Sequence, residues 1–497
     1  MGLYTRTTRA WLEQRFARRN PTGTYFAHMP VYGLGHPDAE GGHVGRYARL
    51  LRLLRALDAL PFRSLLDVGG AEGYLVHLAR TIWGAETATT DLSHEACLRA
   101  QELFGVPAAA VDCARLPFAD GAFDVVVCSE VIEHVEHPVE TLLELQRVAR
   151  VAVVLTTEEL RYDRASIDDY LFRRPGWPHM ERNLFHPDDL MQCVPNAILM
   201  PQCDVPPPPE ALPREQALAW IAANTTSTTL AEGRIGVIAT IPGPAHRSQA
   251  RRHSDAELLT RLLTTTVLPG TKAAPQPATA RATWLSTLRD PYTHGPLRDA
   301  GTHLQGSKSY ALREGVPDFV DVESPPMPRA DLARRIAALP QNQQTALLKL
   351  RDRLFLPDRW PQDFFDLTQR EHRRGFWPND HLVVRGEGFC WRAIGNDPWV
   401  VTPCLQRAVN ELEVTMRITA PDVPIDAGTG QVFWKGAADD SFAEERSVKF
   451  PLCSDGSVRT YRIVLAGHPL LPSEVQWLRL DPADGACDID LLSLRLR

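Results

Sequence analysis

The spacing of apolar and polar positions changes period several times along the first 160 residues. Short, largely apolar runs bounded by turn residues predict buried strands at 64–68, 123–128 and 151–156, and a further strand is predicted at 86–90, between two helices. Apolar residues at helical spacing predict the intervening helices, at 43–60, 74–81, 93–103 and 138–148. Strands that alternate with helices indicate a parallel, doubly wound α/β sheet, whose ligands bind at the carboxyl ends of the strands.

After residue 160 the pattern weakens. The segment 160–200 is rich in aromatics, His and Pro, the proline run 206–209 predicts a loop, and 236–241 predicts a last strand. From about residue 380, alternating apolar and polar runs separated by turn residues predict an antiparallel β-sandwich. We therefore divide the chain into an α/β domain, a polar linker containing one short helix, a small turn-rich module, a helical connector and the sandwich, at 1–245, 246–282, 283–325, 326–375 and 376–497.

The composition is that of an ordinary water-soluble protein. A formal net charge of −7 over 497 residues makes nucleic acid an unlikely partner, because it provides no basic field. The nine cysteines include no C-x-x-C pair. The basic N-terminus never becomes the apolar core of a signal peptide, and no apolar run approaches the roughly 20 residues needed to span a bilayer. We expect a cytoplasmic protein without a membrane span, and its oligomeric state stays open.

Three segments in order carry the candidate chemistry. The first predicted strand runs into LLDVGGAEG at 65–73, the second ends at Asp91, and Asp112 precedes the strand 123–128. A strand, a glycine-rich turn and a helix form a site for nucleotide-type ligands, and Asp91 could accept hydrogen bonds from both hydroxyls of a ribose. An isolated Asp at a strand end more often caps the next helix. The order of the three segments favours the binding role.

Residues 43–160 resemble a class I S-adenosylmethionine-dependent methyltransferase. Asp67–Gly73 matches the family's D-x-G-x-G-x-G loop, with Ala71 in place of the middle glycine, and LPFADGAFDVVVCSEVIEHV resembles its adenine-binding loop and fourth strand. The resemblance implies a Rossmann-like methyltransferase sheet and S-adenosylmethionine as cofactor. It implies these cofactor-binding residues: Asp67, Gly69, Gly70, Ala71, Gly73, Asp91, Leu92, Asp112, Cys113, Cys128, Ser129 and Glu130.

Methyl transfer from a sulfonium is an in-line displacement, so positioning and exclusion of water can supply much of the catalysis. A base is needed only where the acceptor atom loses a proton. His134 and His179 are the candidate catalytic bases, and Glu181 and His186 are rivals in the same irregular region. The alternative is that these histidines are structural. Histidines scattered in a proline-rich loop are more often not metal ligands, and we predict no metal.

Residues 289–320 are similar to the small zinc-ribbon-like proteins that partner tRNA and protein methyltransferases. DPYTHGPL stands where that family has C-P-x-C-x-G-P-L, and SYALREGVPDFV matches its closing pattern. Asp290 and Thr293 replace two cysteines. We therefore predict a module without zinc that packs against its own methyltransferase domain.

The C-terminal sandwich resembles, more loosely, the galactose-binding jelly rolls of carbohydrate-active proteins. Trp391, Trp399, Trp434 and Trp477 could stack on sugars, although most aromatics in a sandwich belong to its core. The expected function is methyl transfer to a small-molecule or carbohydrate-linked acceptor, with oxygen the favoured atom, in polysaccharide or specialised-metabolite biosynthesis. The alternatives are a tRNA or protein methyltransferase and a non-catalytic scaffold.

Overall fold

The structure, a computed structural model of the chain, forms two compact units. Unit 1 comprises Met1–Ile167 and Pro178–Phe355, and unit 2 comprises Asp168–Trp177 and Leu356–Arg497. The predicted proline run 206–209 lies outside the described residues, which are 3–34, 36, 43–160, 163–203, 213–224, 235–274, 277–320, 329–357, 359–395, 397–420, 428–437, 439 and 441–497.

The α-helices of the described chain are α1 (Leu3–Ala17), α2 (His43–Asp58), α3 (Tyr74–Trp83), α4 (His94–Phe104), α5 (Pro138–Val148), α6 (Arg164–Arg173), α7 (Pro187–Cys193), α8 (Arg214–Asn224), α9 (Asp255–Thr264), α10 (Ala278–Thr287), α11 (Arg329–Ala337) and α12 (Gln341–Leu354). The strands of unit 1 are β1 (Ser64–Val68), β2 (Glu86–Asp91), β3 (Ala108–Ala110), β4 (Phe123–Ser129), β5 (Ala149–Leu160), β6 (Ile198–Cys203), β7 (Ile235–Pro242), β8 (Arg298–Asp299), β9 (His303–Gln305), β10 (Ser309–Arg313) and β11 (Val316–Asp318).

One mixed sheet runs through unit 1, in the order β6-β7-β5-β4-β1-β2-β3-β11-β10-β9-β8. The five strands from β5 to β3 in this order are parallel, as the sequence predicts for a doubly wound sheet. The prediction of a wholly parallel sheet is wrong at the edge, because β7 pairs antiparallel with β5 and β6 antiparallel with β7. The central strands are apolar and buried because helices cover both faces of the sheet.

Local sequence sets the ends of the helices beside the sheet. The Ser93 side chain accepts a hydrogen bond from the Ala96 N–H and so caps α4. Gly105 ends α4 and Gly84 ends α3, each in the left-handed conformation that glycine adopts without strain. Ser93 thus fixes the loop at the carboxyl end of β2, whereas the two glycines shape the turns that lead into β2 and β3.

The segment 246–282, predicted as a linker, packs against the sheet of unit 1. Its helix α9 buries Leu258 and Leu262 in the main hydrophobic core. The Tyr74 hydroxyl donates to the carbonyl of Leu262, at 3.3 Å, and to that of Thr265, at 2.9 Å. The short helix is therefore a packed element of unit 1.

The turn-rich module extends the same sheet. Its strand β11 pairs in parallel with β3, where Asp318 lies opposite Ala110 and the Phe319 N–H donates to the Ala110 carbonyl at 2.9 Å. β10, β9 and β8 continue from β11 as antiparallel strands. The module thus packs against its own methyltransferase-like sheet.

The Asp290 carboxylate joins two turns of this module. Oδ1 accepts from the backbone N–H groups of Tyr292 and Thr293, and Oδ2 accepts from the N–H and hydroxyl of Ser307 and from the Tyr310 hydroxyl. Asp290 is 1 % exposed. No group of three or more His, Cys, Asp or Glu residues within the described ranges could hold a metal ion. The absence of zinc stays a prediction.

Unit 2 contains two antiparallel sheets. Their strands are β12 (Phe364–Asp366), β13 (Trp377–Pro378), β14 (Leu382–Val384), β15 (Cys390–Ala393), β16 (Val400–Val401), β17 (Glu411–Thr419), β18 (Gly428–Lys435), β19 (Ser447–Leu452), β20 (Asp455–Val464), β21 (Trp477–Asp481) and β22 (Asp488–Leu496). One sheet has the order β14-β15-β22-β17-β20, with β12 on β22, and the other has β13-β16-β21-β18-β19. Both contribute to a single hydrophobic core. The two sheets agree with the predicted sandwich, whereas its likeness to galactose-binding domains stays a prediction.

Three of the four tryptophans considered for sugar stacking are buried. Trp391, Trp434 and Trp477 are 1 %, 0 % and 2 % exposed, so their faces cannot reach a ligand. The Trp477 indole N–H donates to the Pro175 carbonyl at 3.1 Å. Trp399 is half-buried, and the guanidinium of Arg479 lies 5.4 Å from its ring centroid. The stacking hypothesis is therefore wrong for three positions, because Trp391 and Trp434 belong to the hydrophobic core and Trp477 is buried by other residues of unit 2.

No helix among the residues described above is both long enough and apolar enough to cross a bilayer.

Candidate active site

A cavity of about 420 Å³ opens in unit 1 at the carboxyl ends of the parallel strands. Its first wall is formed by the ends of β1, β2, β4 and β5 and by the loops that follow β1 to β4. The residues of this wall are Asp67, Val68, Gly69, Gly70, Ala71, Asp91, Leu92, Val111, Asp112, Cys113, Ser129, Glu130, Val131 and Thr156. Ten of the twelve predicted cofactor-binding residues therefore line one cavity.

The loop after β1 packs closely against residues of the neighbouring strands and loops. Gly69 has a φ of +75°, and a Cβ there would overlap the side chain of Val131. A Cβ on Gly70 would overlap Thr89 Oγ1 and Asp67 Oδ2. Ala71 adopts a positive φ of 48°, which a non-glycine residue rarely does. This loop has no room for side chains at Gly69 and Gly70, so its backbone is exposed to the cavity.

Two predicted residues lie outside the cavity lining. Gly73 begins α3 with a φ of +76°, and a Cβ there would lie 2.8 Å from the Cβ of Ala100. Cys128 is fully buried within β4. Gly73 thus allows the loop to pack closely on α4, and Cys128 belongs to the core of the sheet.

Asp91 connects the glycine-rich loop to the start of α4. Its Oδ2 accepts from the Ala71 N–H at 3.0 Å, and its Oδ1 accepts from the Ser93 N–H at 2.9 Å. Each carboxylate oxygen has a second lone pair, so the pair of oxygens can still accept from the two hydroxyls of a ribose. The binding role and the capping role of this Asp are therefore compatible.

Asp67 and Asp91 are two carboxylates in one buried region. Burial, and then the charge of Asp91, raises the pKa of Asp67 to about 7. Burial raises the pKa of Asp91 to about 6, against the effect of its two backbone hydrogen bonds, and the nearby Glu13 and Glu72 add to the rise. A positively charged ligand would favour the ionised form of both groups. The region therefore offers negative charge that a cationic ligand would stabilise.

The remaining strand-end residues form a polar rim. Asp112 Oδ1 accepts from the Ala114 N–H at 3.0 Å, which fixes its carboxyl at the cavity surface. Cys113 lies beside Thr141, with its sulfur 3.5 Å from the Thr141 hydroxyl, and burial raises its pKa to about 12. The Thr156 hydroxyl donates to Glu130 Oε1 at 2.6 Å. These contacts hold the carboxylates in fixed orientations.

His134 and His179, the two predicted bases, meet in the cavity. Their rings stack with centroids 4.2 Å apart and an angle of 18° between planes. His134 Nδ1 lies 2.9 Å from the Met180 carbonyl oxygen. Because a carbonyl oxygen only accepts, Nδ1 must carry the hydrogen, and a neutral His134 has its lone pair on Nε2. This tautomer is the one that can act as a base.

His179 is held in an unusual conformation. Its φ is 53°, and its backbone N–H donates to Thr8 Oγ1 at 3.1 Å. Trp11 stacks on the other side of its ring, with centroids 4.8 Å apart. Burial, and then the charges of His134, His28 and Arg15, lowers the pKa of His179 well below its usual value. His179 therefore stays neutral and provides a flat surface against which His134 packs.

The second wall of the cavity comes from α1, which the sequence analysis did not predict. Six side chains of this helix line the cavity: Tyr4, Thr5, Thr8, Leu12, Arg15 and Phe16. The backbone N–H of Thr5 donates to Glu136 Oε2 at 3.2 Å. The spacing of four between Tyr4, Thr8, Leu12 and Phe16 was the available signal, because residues four apart share a helix face.

The third wall is cationic and was also missed. Arg46 and Arg49 project from α2, and His28 lies beside them. Arg46 Nη1 is 3.2 Å from His28 Nε2. Of the two rival residues, Glu181 lines the cavity, whereas His186 caps α7 by accepting from the Asp188 N–H. The site thus combines carboxylates at the strand ends with guanidinium groups opposite.

A methyltransferase-domain family model matches residues 66–155, the part of the chain that contains β1 to most of β5. The chain matches no curated protein in sequence.

Several solved structures are similar to part of this chain at low sequence identity. One is a complex from Haloferax volcanii between the Trm112 methyltransferase activator and its assigned methyltransferase, with 14 % identity, 40 % of this chain and 98 % of that chain covered, and a TM-score of 0.29. Another is geranyl diphosphate C-methyltransferase from Streptomyces coelicolor A3(2), with Mg²⁺, geranyl diphosphate and S-adenosyl-L-homocysteine, at 16 % identity, 47 % and 97 % coverage, and a TM-score of 0.29. A third is a SAM-dependent methyltransferase from Archaeoglobus fulgidus, at 16 % identity, 39 % and 92 % coverage, and a TM-score of 0.27.

Proposed function

We propose that this chain, which is an S-adenosylmethionine-dependent methyltransferase, transfers the methyl group to an oxygen of a small-molecule or carbohydrate-linked acceptor. The observation that supports oxygen is the tautomer of His134. A hydroxyl that becomes a methyl ether must lose its proton, and His134 has the lone pair on Nε2 that can take it. The proposed pathway context is polysaccharide or specialised-metabolite biosynthesis.

The cavity residues divide into a cofactor end and an acceptor end. We assign Asp91 to the ribose hydroxyls, Asp112 to the adenine amine, and the loop from Gly69 to Ala71 to the methionine portion. The cofactor, when bound, supplies an electrophilic methyl group on a sulfonium. The ionised Asp67 carboxylate would balance the positive charge of the methionine portion. Its raised pKa is consistent with this role, because a bound cation would favour the ionised form.

At the acceptor end, the chain's own residues orient the hydroxyl and exclude water. The stacked rings of His134 and His179 fix the direction of Nε2, and α1, which contacts His179 through Trp11 and Thr8, forms the adjacent wall of the cavity. Once the acceptor oxygen binds carbon, its proton resides on His134 Nε2, and the resulting imidazolium retains its hydrogen bond from Nδ1 to the Met180 carbonyl. The same residue, His134, would therefore both orient the acceptor hydroxyl and take its proton.

The test is a transfer assay with S-adenosylmethionine labelled in its methyl group. Acceptors should include phenols, hydroxylated small molecules, monosaccharides and oligosaccharides, and NMR of the product identifies the methylated atom. An O-methyl product supports the proposal. Transfer to nitrogen or carbon alone refutes the choice of oxygen.

A tRNA or protein acceptor is the second candidate. Its support is the pairing of β11 with β3, because the module that supplies β11 resembles the proteins that partner tRNA and protein methyltransferases. The same assay decides it when unmodified tRNA and a protein extract are added to the panel. Label recovered in either macromolecule, with none in the small acceptors, would favour this candidate.

A glycan role for unit 2 has less support than the cofactor site, since three of its four candidate tryptophans are buried. Trp399 is the remaining position. If the sandwich holds a glycan, Trp399→Ala should weaken binding of the full chain to glycans on an array. Identical array profiles for the two proteins would refute the role of this side chain.

A further inference from the structure

One face of α1 lines the cavity, and the adjacent face is attached to the turn-rich module. Arg9 on this adjacent face donates from Nη2 to Asp318 Oδ2 at 2.7 Å and from Nη1 to the Val320 carbonyl at 3.3 Å. Arg9 is 9 % exposed and Asp318 is 6 % exposed. This ion pair is therefore buried, and it joins the cavity wall to the strand that the module adds to the sheet.

Arg9 continues into a second set of contacts through Glu13. Arg9 Nε donates to Glu13 Oε1 at 3.2 Å, one helical turn along α1. The Glu13 carboxylate accepts from the backbone N–H groups of His94 and Glu95, each at 2.9 Å, and from the Ser93 hydroxyl at 2.8 Å. A side chain of α1 thus satisfies N–H groups at the N-terminus of α4.

The last contact reaches the cofactor site. The Ser93 N–H donates to Asp91 Oδ1 at 2.9 Å, so the orientation of the Asp91 carboxylate depends on where α4 begins. Asp318 and Asp91 are consequently joined by an unbroken series of polar contacts through Arg9, Glu13 and Ser93.

We propose that Asp318 is a positioning residue for cofactor binding, which acts through Arg9 and Glu13 on α1 and on the N-terminus of α4. The module therefore sets the cofactor site from within the same chain. This inference rests on the proposed use of the cavity for S-adenosylmethionine. Loss of Asp318 removes the buried carboxylate that Arg9 meets on β11 and leaves Glu13 as its remaining carboxylate partner, so Arg9 should shift and move α1 with it.

The same half of unit 1 offers a matched control. Arg335 on α11 pairs with Glu144 on α5, and Glu144 is fully buried. Neither residue lines the cavity. Breaking this pair removes a buried ionic contact of similar kind without touching α1, Asp91 or their connection.

The experiment compares the full-length wild type with Asp318→Asn, with the double variant Arg9→Met/Asp318→Leu, and with Arg335→Met. Calorimetry measures the Kd for S-adenosylhomocysteine, and thermal unfolding without ligand measures stability. Asp318→Asn should raise the Kd by about fivefold or more, within the usual range of coupling between sites. The double variant removes both members of the Arg9–Asp318 pair, so it should recover stability and still bind weakly, because Glu13 has lost Arg9. Arg335→Met should lower the melting temperature and leave the Kd unchanged.

A double variant that recovers both stability and the wild-type Kd would overturn the proposal, since Asp318 would then be merely structural. If Asp318→Asn does not fold, the Kd and the stability of the double variant alone test the proposal. Hydrogen exchange provides a readout independent of ligand: the amides of His94 and Glu95 should exchange faster in the double variant than in the wild type. A wild type that binds no S-adenosylhomocysteine would refute the cofactor site instead, and unchanged exchange at these amides would refute the connection.

Discussion

Affinity for S-adenosylmethionine should fall as the pH is lowered from 8 to 5.5. The folded protein without ligand has pKa values of about 7 for Asp67 and about 6 for Asp91. The cationic cofactor binds to the ionised carboxylates, so protons compete with it. At pH 5.5, protonation of Asp67 costs roughly 30-fold in affinity and protonation of Asp91 roughly fourfold, together about 100-fold relative to pH 8.

Isothermal titration calorimetry at pH 5.5, 6.0, 7.0 and 8.0 measures this effect. Repeating the pH 6 titration in buffers of different ionisation enthalpy counts the protons released, and we expect about 1.4 per cofactor, most of them from Asp67. Asp67→Asn is the matched control, because it removes the carboxyl with the higher pKa. Its overall affinity should be lower, and its pH dependence should shrink to roughly the fourfold part that belongs to Asp91.

The same two groups affect stability with a definite sign. Their folded pKa values exceed the usual 3.8, so the folded chain binds protons more strongly than the unfolded chain. Their contribution to stability is therefore greatest below about pH 4 and is lost as the pH rises to about 7. Bound cofactor should raise the melting temperature more at pH 8 than at pH 5.5. An affinity that is constant between pH 5.5 and 8 would refute the placement of two buried carboxylates against a cationic ligand.

Three further predictions concern single side chains. His134→Gln should lower kcat for an oxygen acceptor by about 10²- to 10⁴-fold while the Kd for S-adenosylmethionine stays the same, and an equal kcat in both proteins would exclude His134 as the base. Asp290→Asn should destabilise unit 1 by about 2 to 5 kcal/mol in denaturant unfolding, because an amide NH₂ would face N–H and O–H donors that now point to a carboxylate; Thr293→Ser, which keeps the hydroxyl, serves as its control. Tyr74→Phe should cost about 1 kcal/mol by the same measurement through loss of the hydrogen bonds to α9, and a wild-type midpoint would show that α9 is not held by that hydroxyl.

β1, β4 and β5 could be predicted from sequence because each is a short, largely apolar run in a chain of alternating strands and helices. β1 and α5 begin and end where the pattern places them. The glycine-rich loop and the aspartate beside it were also predictable, since Gly69 and Gly70 directly follow β1 and Asp91 ends β2. Local sequence therefore contains most of the cofactor end of the site.

Other elements depend on partners that are distant in sequence. β3 consists of Ala108, Ala109 and Ala110, which have little intrinsic preference for a strand, and it forms because β2 and β11 pair with it on either side. α1 was hidden by its many charges, of which Arg9 and Glu13 are neutralised by contacts far along the chain. In unit 2, period-two alternation identifies strands but does not say which face meets the other sheet, and so Trp391 and Trp434 could not be assigned to the core.

The carboxylate of Asp290 has a consequence for the conditions under which its module stays folded. The two turns are joined by a carboxylate that accepts five hydrogen bonds. This connection contains no thiolate, so it offers no group that an oxidant could modify and no metal ligand that a chelator could compete with. Protonation of the Asp290 carboxylate is the change that would weaken these hydrogen bonds. Although burial opposes it, the Ser307 hydroxyl and the N–H groups of Thr293, Tyr292 and Ser307 hold the pKa of Asp290 below its usual value, so protonation releases the two turns only in strongly acidic solution. The module should therefore tolerate metal starvation and oxidative stress alike.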